Sequence, residues 1–464
     1  MVDSGRLLTI LPLLYLGAFL ASAYAIYDRE DLSRSYFRPS SIMVLYVSLF
    51  FFMGSFAFKN ELVLMETASQ FEYYSLEKFG VVSFYFLCAI GVTLISQVLS
   101  KHRSNTSPAH AHDAKRPGGK KLNTQGVRVL LSVIIIILTP LVDIPLPGGS
   151  GSFSSTFFMF AAVHIAYVAK LSGRKYRAGI YALLAFLLAT SFYSDRRLLF
   201  YFAFILCFIE VFDKRPFKIR AKAFALLAAI FVSLITANIA MSIHRGVGEF
   251  ESKSMSDAFT YVDDYLASDW AQTMLLHNFE GPPTIFHSYN AVNYMIRSGD
   301  YRHGLTFVKV FFLPIPRSVF PDKPRSMVDE YTTILYPVFR ERGGSWVPNL
   351  YTEAFWNFGL FGGLFFLLVG YYCLDTIYFK WIGRLRAGAR VENVFFLSSF
   401  AFLLFLFRGS GVDLYGLFVI IFFFMARMYG LLGLGRHVIR KETPPDACRD
   451  TVVDGKDLMG TLDK

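Results

Sequence analysis

Long apolar runs, each close to the thickness of a lipid bilayer, recur along this chain and decide what it can fold into. They lie near residues 7–27, 41–58, 81–100, 129–147, 155–170, 179–194, 198–212, 223–242, 352–378, 392–407 and 416–434. A helix crosses the hydrocarbon core with about 20 such residues. Inside that core every backbone polar group must be satisfied within the protein, which leaves helices and closed barrels as the spanning solutions. Barrel strands would alternate apolar and polar residues, and these runs do not. The expected fold is therefore all-α, a polytopic transmembrane bundle of about eleven spans, the shorter ones tilted, broken or partly spanning. Composition agrees: 54% of the 464 residues are hydrophobic and 17% charged, with 50 Phe, far from a soluble globular domain.

Charge in the short connections orients the bundle. Residues 101–128 carry seven Lys and Arg against a lone Asp113. Arg174, Lys175 and Arg177 follow, then a basic cluster from Lys214 to Lys222, then Lys380, Arg384, Arg386 and Arg390, then the tail at Arg436. Two spans separate each cluster from the next, so all share one face, and the positive-inside bias makes that face cytoplasmic. Four parts follow: amino-terminal spans over 1–242, a large outer loop over 243–350, carboxy-terminal spans over 351–435, and a cytoplasmic tail over 436–464. A connection of that length is too long for an idle link. Its polar start (HRGVGEFESKSMSDAFTYVDDYL) and aromatic second half predict short amphipathic helices on the outer leaflet. Leu7–Tyr27 exceeds a signal-peptide core and is read as a retained helix.

Several apparent sites dissolve on inspection. His102, His110 and His112 beside Asp113 sit in a breaker-rich, apolar-poor loop, which reads as solvated chain rather than a metal centre. Cys88, Cys207 and Cys373 fall in apolar helices and Cys448 in the tail, with no paired spacing. Asp263–Asp264 reads as the polar face of a surface helix. No Walker loop, HExxH, GxSxG or dinucleotide fingerprint occurs. No metal or other cofactor and no nucleic-acid partner is expected.

The anomaly is positive charge on the outer side. Arg196 and Arg197 (SFYSDRRLLF) occupy a short outer turn, Arg408 (FLFRGSGVDLYG) ends a helix at the same face, and Arg245 follows the span that ends near Ser242. The stretch from Gly304 to Gly363 adds Arg317, Lys323 and Arg325 among prolines, and ends with Glu353 and Asn357 before a Gly-containing apolar run. Arginine's planar fork binds phosphate oxygens bidentately and stays charged at any relevant pH. Several such groups at one membrane surface suit a lipid pyrophosphate. The ordinary alternative is snorkelling to headgroups, or pairing with Asp195 or Asp413. Glu353 either complements a helix dipole or takes a proton from a hydroxyl. Gly359 and Gly363 are read as permitting close helix packing.

The segments HGLTFVKVFFLPIPRSVFPDKP and VPNLYTEAFWNFGLFGG resemble the bacterial O-antigen or oligosaccharide repeat-unit polymerases of the Wzy type. Those proteins pair an apolar stretch with Pro-Arg and Lys-Pro steps, then a Glu/Asn-Phe-Gly lead into a helix. The Arg196–Arg197 turn and the Arg408–Ser410 step also fall where such proteins carry outward arginines. The resemblance implies a GT-C-like integral glycosyltransferase at the periplasmic face of the inner membrane. Its substrates would be undecaprenyl-pyrophosphate-linked glycans, and its partners membrane lipids and a chain-length regulator and flippase of the same pathway. It carries functional roles onto Arg196, Arg197, Arg317, Lys323, Arg408, Glu353 and Asn357. The SDRR turn departs from the commoner Gly-Ser-Arg pattern, which leaves open which arginine is the counterpart. An O-antigen ligase shares this architecture. A flippase would show repeat symmetry and mid-membrane charge, and a scaffold would need no arginine cluster.

Overall fold

The computed structural model describes residues 4–27, 36–63, 79–106, 122–142, 153–173, 176–192, 197–212, 254–268, 281–312, 318–387, 391–407 and 411–431, with residue 315 and single positions between 232 and 276. Every regular element among them is a helix. The first seven are α1 (Ser4–Ile26), α2 (Pro39–Lys59), α3 (Phe79–Thr106), α4 (Leu122–Leu138), α5 (Phe153–Leu171), α6 (Arg177–Ser191) and α7 (Arg197–Val211). The large loop holds α8 (Met255–Thr260), α9 (Val262–Ala267), α10 (Gly281–Ser298), α11 (Leu305–Phe312), α12 (Met327–Leu335) and α13 (Pro337–Glu341). The chain then forms α14 (Leu350–Ala387), α15 (Val394–Ala401), α16 (Leu403–Leu406) and α17 (Gly411–Met428).

Six stretches are long and apolar enough to cross a membrane: Thr9–Ile26, Pro39–Lys59, Phe79–Ser100, Ser154–Leu171, Leu350–Leu385 and Gly411–Met428. Gln125–Leu141, Arg177–Ser191, Leu198–Val211 and Val391–Leu406 are apolar but shorter. Of the about eleven expected spans, six are thus of membrane length and four more are shorter apolar helices among the described residues. The run at 223–242 lies outside them except at single positions. Local chemistry accounts for one shortening. α4 gives way to a 3-10 turn at Thr139–Leu141, where Pro140 lacks the N–H that an α-helix needs.

Two packed groups make up the bundle. α1, α2, α3, α10 and α14 form one, and α5, α6, α7, α15 and α17 the other, with α4 along α5. Edge-on rings tie the first group together: Phe51 lies 5.1 Å from Tyr15 and 4.9 Å from Phe86, centroid to centroid. Trp381 of α14 stacks on Phe208 of α7 at 5.6 Å and so joins the groups. α10 departs from the expected interfacial helices because it is buried. Its Gly281 meets Gly54 of α2 so closely that a Cβ on Gly54 would stand 2.6 Å from the Gly281 carbonyl oxygen. Asp263 and Asp264 are exposed in the first turn of α9.

Two acidic residues anchor ion pairs within the bundle, Asp375 in the first group and Glu210 in the second. Asp375, 0% exposed in α14, accepts from the Ser40 amide at 3.1 Å, the Ser40 hydroxyl at 2.5 Å and the Ser100 hydroxyl at 3.3 Å. Arg38 stands 3.9 Å from it and donates to Ser41, the Gln97 carbonyl and the Gln97 side chain. This knot joins the start of α2, the end of α3 and the lower part of α14. Glu210 plays the corresponding part in the second group, holding Arg177 at 3.2 Å and Lys170 at 3.5 Å. The thiols of Cys88, Cys207 and Cys373 are free; Cys88 and Cys207 are half-buried and Cys373 is exposed on α14.

α14 is two helical arms, 350–358 and 360–387, joined at Gly359 with φ +67° and ψ −161°. A Cβ on Gly363 would come within 3.1 Å of the Ala354 backbone, nine positions back. A straight helix would separate those residues by about 13 Å. The arms therefore fold back on one another. The sequence reading of Gly359 as a packing glycine is corrected: its backbone lies where residues other than glycine are strongly disfavoured. Gly363 is the packing glycine.

Candidate functional site

The site grows from the short first arm of α14. Asn349 caps it, its Oδ1 accepting from the Thr352 amide at 3.0 Å and hydroxyl at 3.1 Å. Capping is thus the work of Asn349. Glu353, one turn on and 0% exposed, accepts a hydrogen bond from the Thr306 hydroxyl at 2.8 Å through Oε1.

Asn357, a further turn along and also fully buried, binds α11 to this arm. Its Oδ1 accepts from the Gly304 amide at 3.0 Å and the Thr306 amide at 3.4 Å. Its Nδ2 donates to the Thr306 hydroxyl at 2.7 Å and the Glu353 carbonyl at 2.8 Å. Two acceptor positions and two donor hydrogens fill the amide's capacity. Asn357, which the resemblance implies is substrate-binding, is here engaged wholly within the protein. The break at Gly359 leaves carbonyls without helical partners, and the preceding segment supplies them. The Arg302 amide donates to the Trp356 carbonyl at 3.2 Å, and the His303 amide to the Asn357 carbonyl at 2.8 Å.

An ionic frame holds this segment from the other side. Glu330 of α12 accepts from Arg302 at 3.0 Å and from the Trp356 indole at 3.1 Å, while Asp300 takes the other side of the guanidinium at 2.6 Å. Partial burial works against the charge on Arg302, but Glu330 and then Asp300 outweigh it and hold its pKa above the ordinary value. Burial, with Tyr336 adding to it, pushes the Tyr331 phenol well above its usual range. Its hydroxyl lies 2.9 Å from His287 Nδ1.

The remaining expected residues distribute as follows. Lys323 is half-buried and donates to the Ile315 carbonyl at 2.9 Å, which closes the proline-containing turn. Arg325 is exposed. Arg197 is the first residue of α7, and its side chain is not described. Arg196, Arg245, Arg317 and Arg408 lie outside the described residues, as do His110, His112, Asp113 and Asp195. The flank of Arg408 is placed: the Phe407 carbonyl accepts from the Leu350 amide at 2.8 Å, at the first residue of the Glu353 arm. Asp413, considered above as a partner for Arg408, pairs with Lys309 of α11 at 2.9 Å. The structure thus brings together Glu353, Asn357 and the α11 segment, and adds Thr306, Asn349 and Lys309, which the sequence reading missed. Asp375 was missed as well, although an aspartate deep inside an apolar run is itself a signal.

Fold and site define an all-helical membrane protein with several spans and a buried carboxylate held at the junction of two helices. No protein-family model, curated protein or solved structure matched the chain.

Proposed function

We infer that this protein is a glycosyltransferase that joins lipid-linked oligosaccharide repeat units at the periplasmic face of the bacterial inner membrane, with undecaprenyl pyrophosphate as leaving group. The observation that carries the reading is the junction of Glu353 with Thr306. It ties the acidic start of the Gly-containing apolar stretch to the segment that leads into Pro-Arg and Lys-Pro, so the two halves of the resemblance meet in space.

In this scheme an acceptor-sugar hydroxyl attacks the anomeric carbon of the donor glycan. Its proton passes to the Glu353 carboxylate, and the bond to the lipid pyrophosphate breaks. Arg317, Arg408 and one of Arg196 and Arg197 hold the pyrophosphate and stabilise the charge it gains on leaving. Arg245, Lys323 and Arg325 attract the anionic lipid head. Thr306 fixes the orientation of the Glu353 carboxylate. The lipid-linked substrates would be supplied by a flippase, and product length set by a chain-length regulator.

Deleting the gene and resolving the surface glycan by gel tests the reading. Glycans of a single repeat unit are expected. Loss of all glycan would point instead to a ligase or a flippase, and an unchanged ladder would reject all three.

A further inference from the structure

Helix α11 lies in the loop that the charge pattern assigns to the outside, yet its neighbours are membrane-length helices. Val310 meets Gly416 of α17, where a Cβ would stand 2.4 Å from Val310 Cγ2. Phe307 stacks on Phe366 in the second arm of α14 at 4.6 Å. Gly416 is five residues into α17, about 7 Å below its first residue. Ile420, Phe423 and Phe424 continue from Gly416 down the same helical face and are exposed. α11 therefore caps a stripe that otherwise meets lipid.

Its own outer face has the same character. Leu305, Val308 and Phe311 form one exposed stripe, with Phe311 77% exposed. The basic residue of the helix, Lys309, is turned inward onto Asp413. The backbone is equally prepared for an apolar medium. The first four amides of α11 all find partners: Leu305 donates to the Arg302 carbonyl, Phe307 and Val308 to the Gly304 carbonyl, and Thr306 to Asn357. A short helix in water has no need of that closure, and one in hydrocarbon does.

We propose that α11 is a membrane-embedded re-entrant helix whose Leu305–Val308–Phe311 stripe docks against the hydrocarbon chains of bilayer lipids, forming the wall between the lipid and Glu353. The inference does not depend on the glycosyl-transfer reading. Continuity with the exposed stripe of α17 selects lipid as the occupant over water or a second copy of this chain.

Spin labels placed singly at Val308→Cys and Phe311→Cys in a cysteine-free protein, reconstituted in phosphatidylcholine vesicles, test it. Phe424→Cys serves as the lipid reference and Ser256→Cys as the aqueous one. Both α11 labels should match the lipid reference, relaxed by oxygen and shielded from a water-soluble nickel chelate. Relaxation by nickel at the level of the Ser256 label would overturn the proposal. So would shielding from both reagents with dipolar broadening between copies, which marks a protein–protein contact. In the unmodified protein, a phosphatidylcholine with a diazirine on its acyl chain should crosslink to the peptide containing Val308 and Phe311. Absence of that crosslink while α17 peptides are labelled would overturn it too.

Discussion

Replacing Asp375 by Ala removes the acceptor for the Ser40 amide, the Ser40 hydroxyl and the Ser100 hydroxyl, and leaves Arg38 without its counter-charge. Hydrogen bonds between membrane helices average about 0.6 kcal/mol, so three come to about 2 kcal/mol. Breaking a buried ion pair from one side costs about 3–5 kcal/mol, because a buried charge remains uncompensated. The charge, more than the hydrogen bonds, should therefore dominate, and Asp375→Ala is expected to cost at least about 3 kcal/mol, roughly two orders of magnitude in the folded fraction. Adding Arg38→Met should then recover about 1–3 kcal/mol, since the double variant leaves no stranded charge. Equilibrium unfolding of the purified protein in mixed micelles, followed by circular dichroism, measures all four members of the cycle. Additive effects, or an Asp375→Ala cost under about 1 kcal/mol, would refute the reasoning. The knot would then be hydrated rather than a buried pair.

Thr306→Val should lower polymerisation by about 10²-fold, the scale of a lost positioning contact near the reacting groups, while Thr306→Ser largely restores it; chain-length profiles of complemented deletion strains report this. Gly359→Ala must adopt a backbone conformation that costs an ordinary residue about 1–3 kcal/mol and must also displace Tyr301, whose ring a Cβ would meet at 3.2 Å, so thermal unfolding should shift down. Single Ala replacements of Arg317 and Arg408 should reduce turnover by about two to three orders of magnitude with normal protein level, and Lys should rescue only in part; an in vitro assay with lipid-linked glycan decides. Cysteines at Ser256 and Ser107 should label from opposite sides of the membrane; labelling from one side rejects the orientation.

How much of this was legible in the sequence depended on the kind of signal. Apolar runs are summed over many residues, and so the helices at 39–59 and 79–106 sit where hydropathy puts them. Gly359 and Gly363 look alike in FGLFGG, and which one breaks the helix is settled by Tyr301 and by the amides of Arg302 and His303, about 55 positions earlier. A local pattern cannot carry that. Glu353 stood out because it is a carboxylate before an apolar run, whereas Thr306 is an unremarked threonine inside one. The course of the chain inside a span is hidden for a related reason. Apolar content marks 352–378 as one crossing, but the chain reverses within it, and hydropathy does not register direction.

The contact between residues 302–306 and the first arm of α14 has an evolutionary consequence. Successive amides at Arg302, His303 and Gly304 meet the Trp356 carbonyl, the Asn357 carbonyl and the Asn357 side chain in order, as teeth in a rack. A point substitution at most of these positions leaves the backbone donors in place. Inserting or deleting one residue would instead move every tooth by one step and carry Thr306 off Glu353. Homologous chains should therefore keep the length of this segment fixed, with insertions and deletions collecting in the exposed turn at Arg342–Gly343.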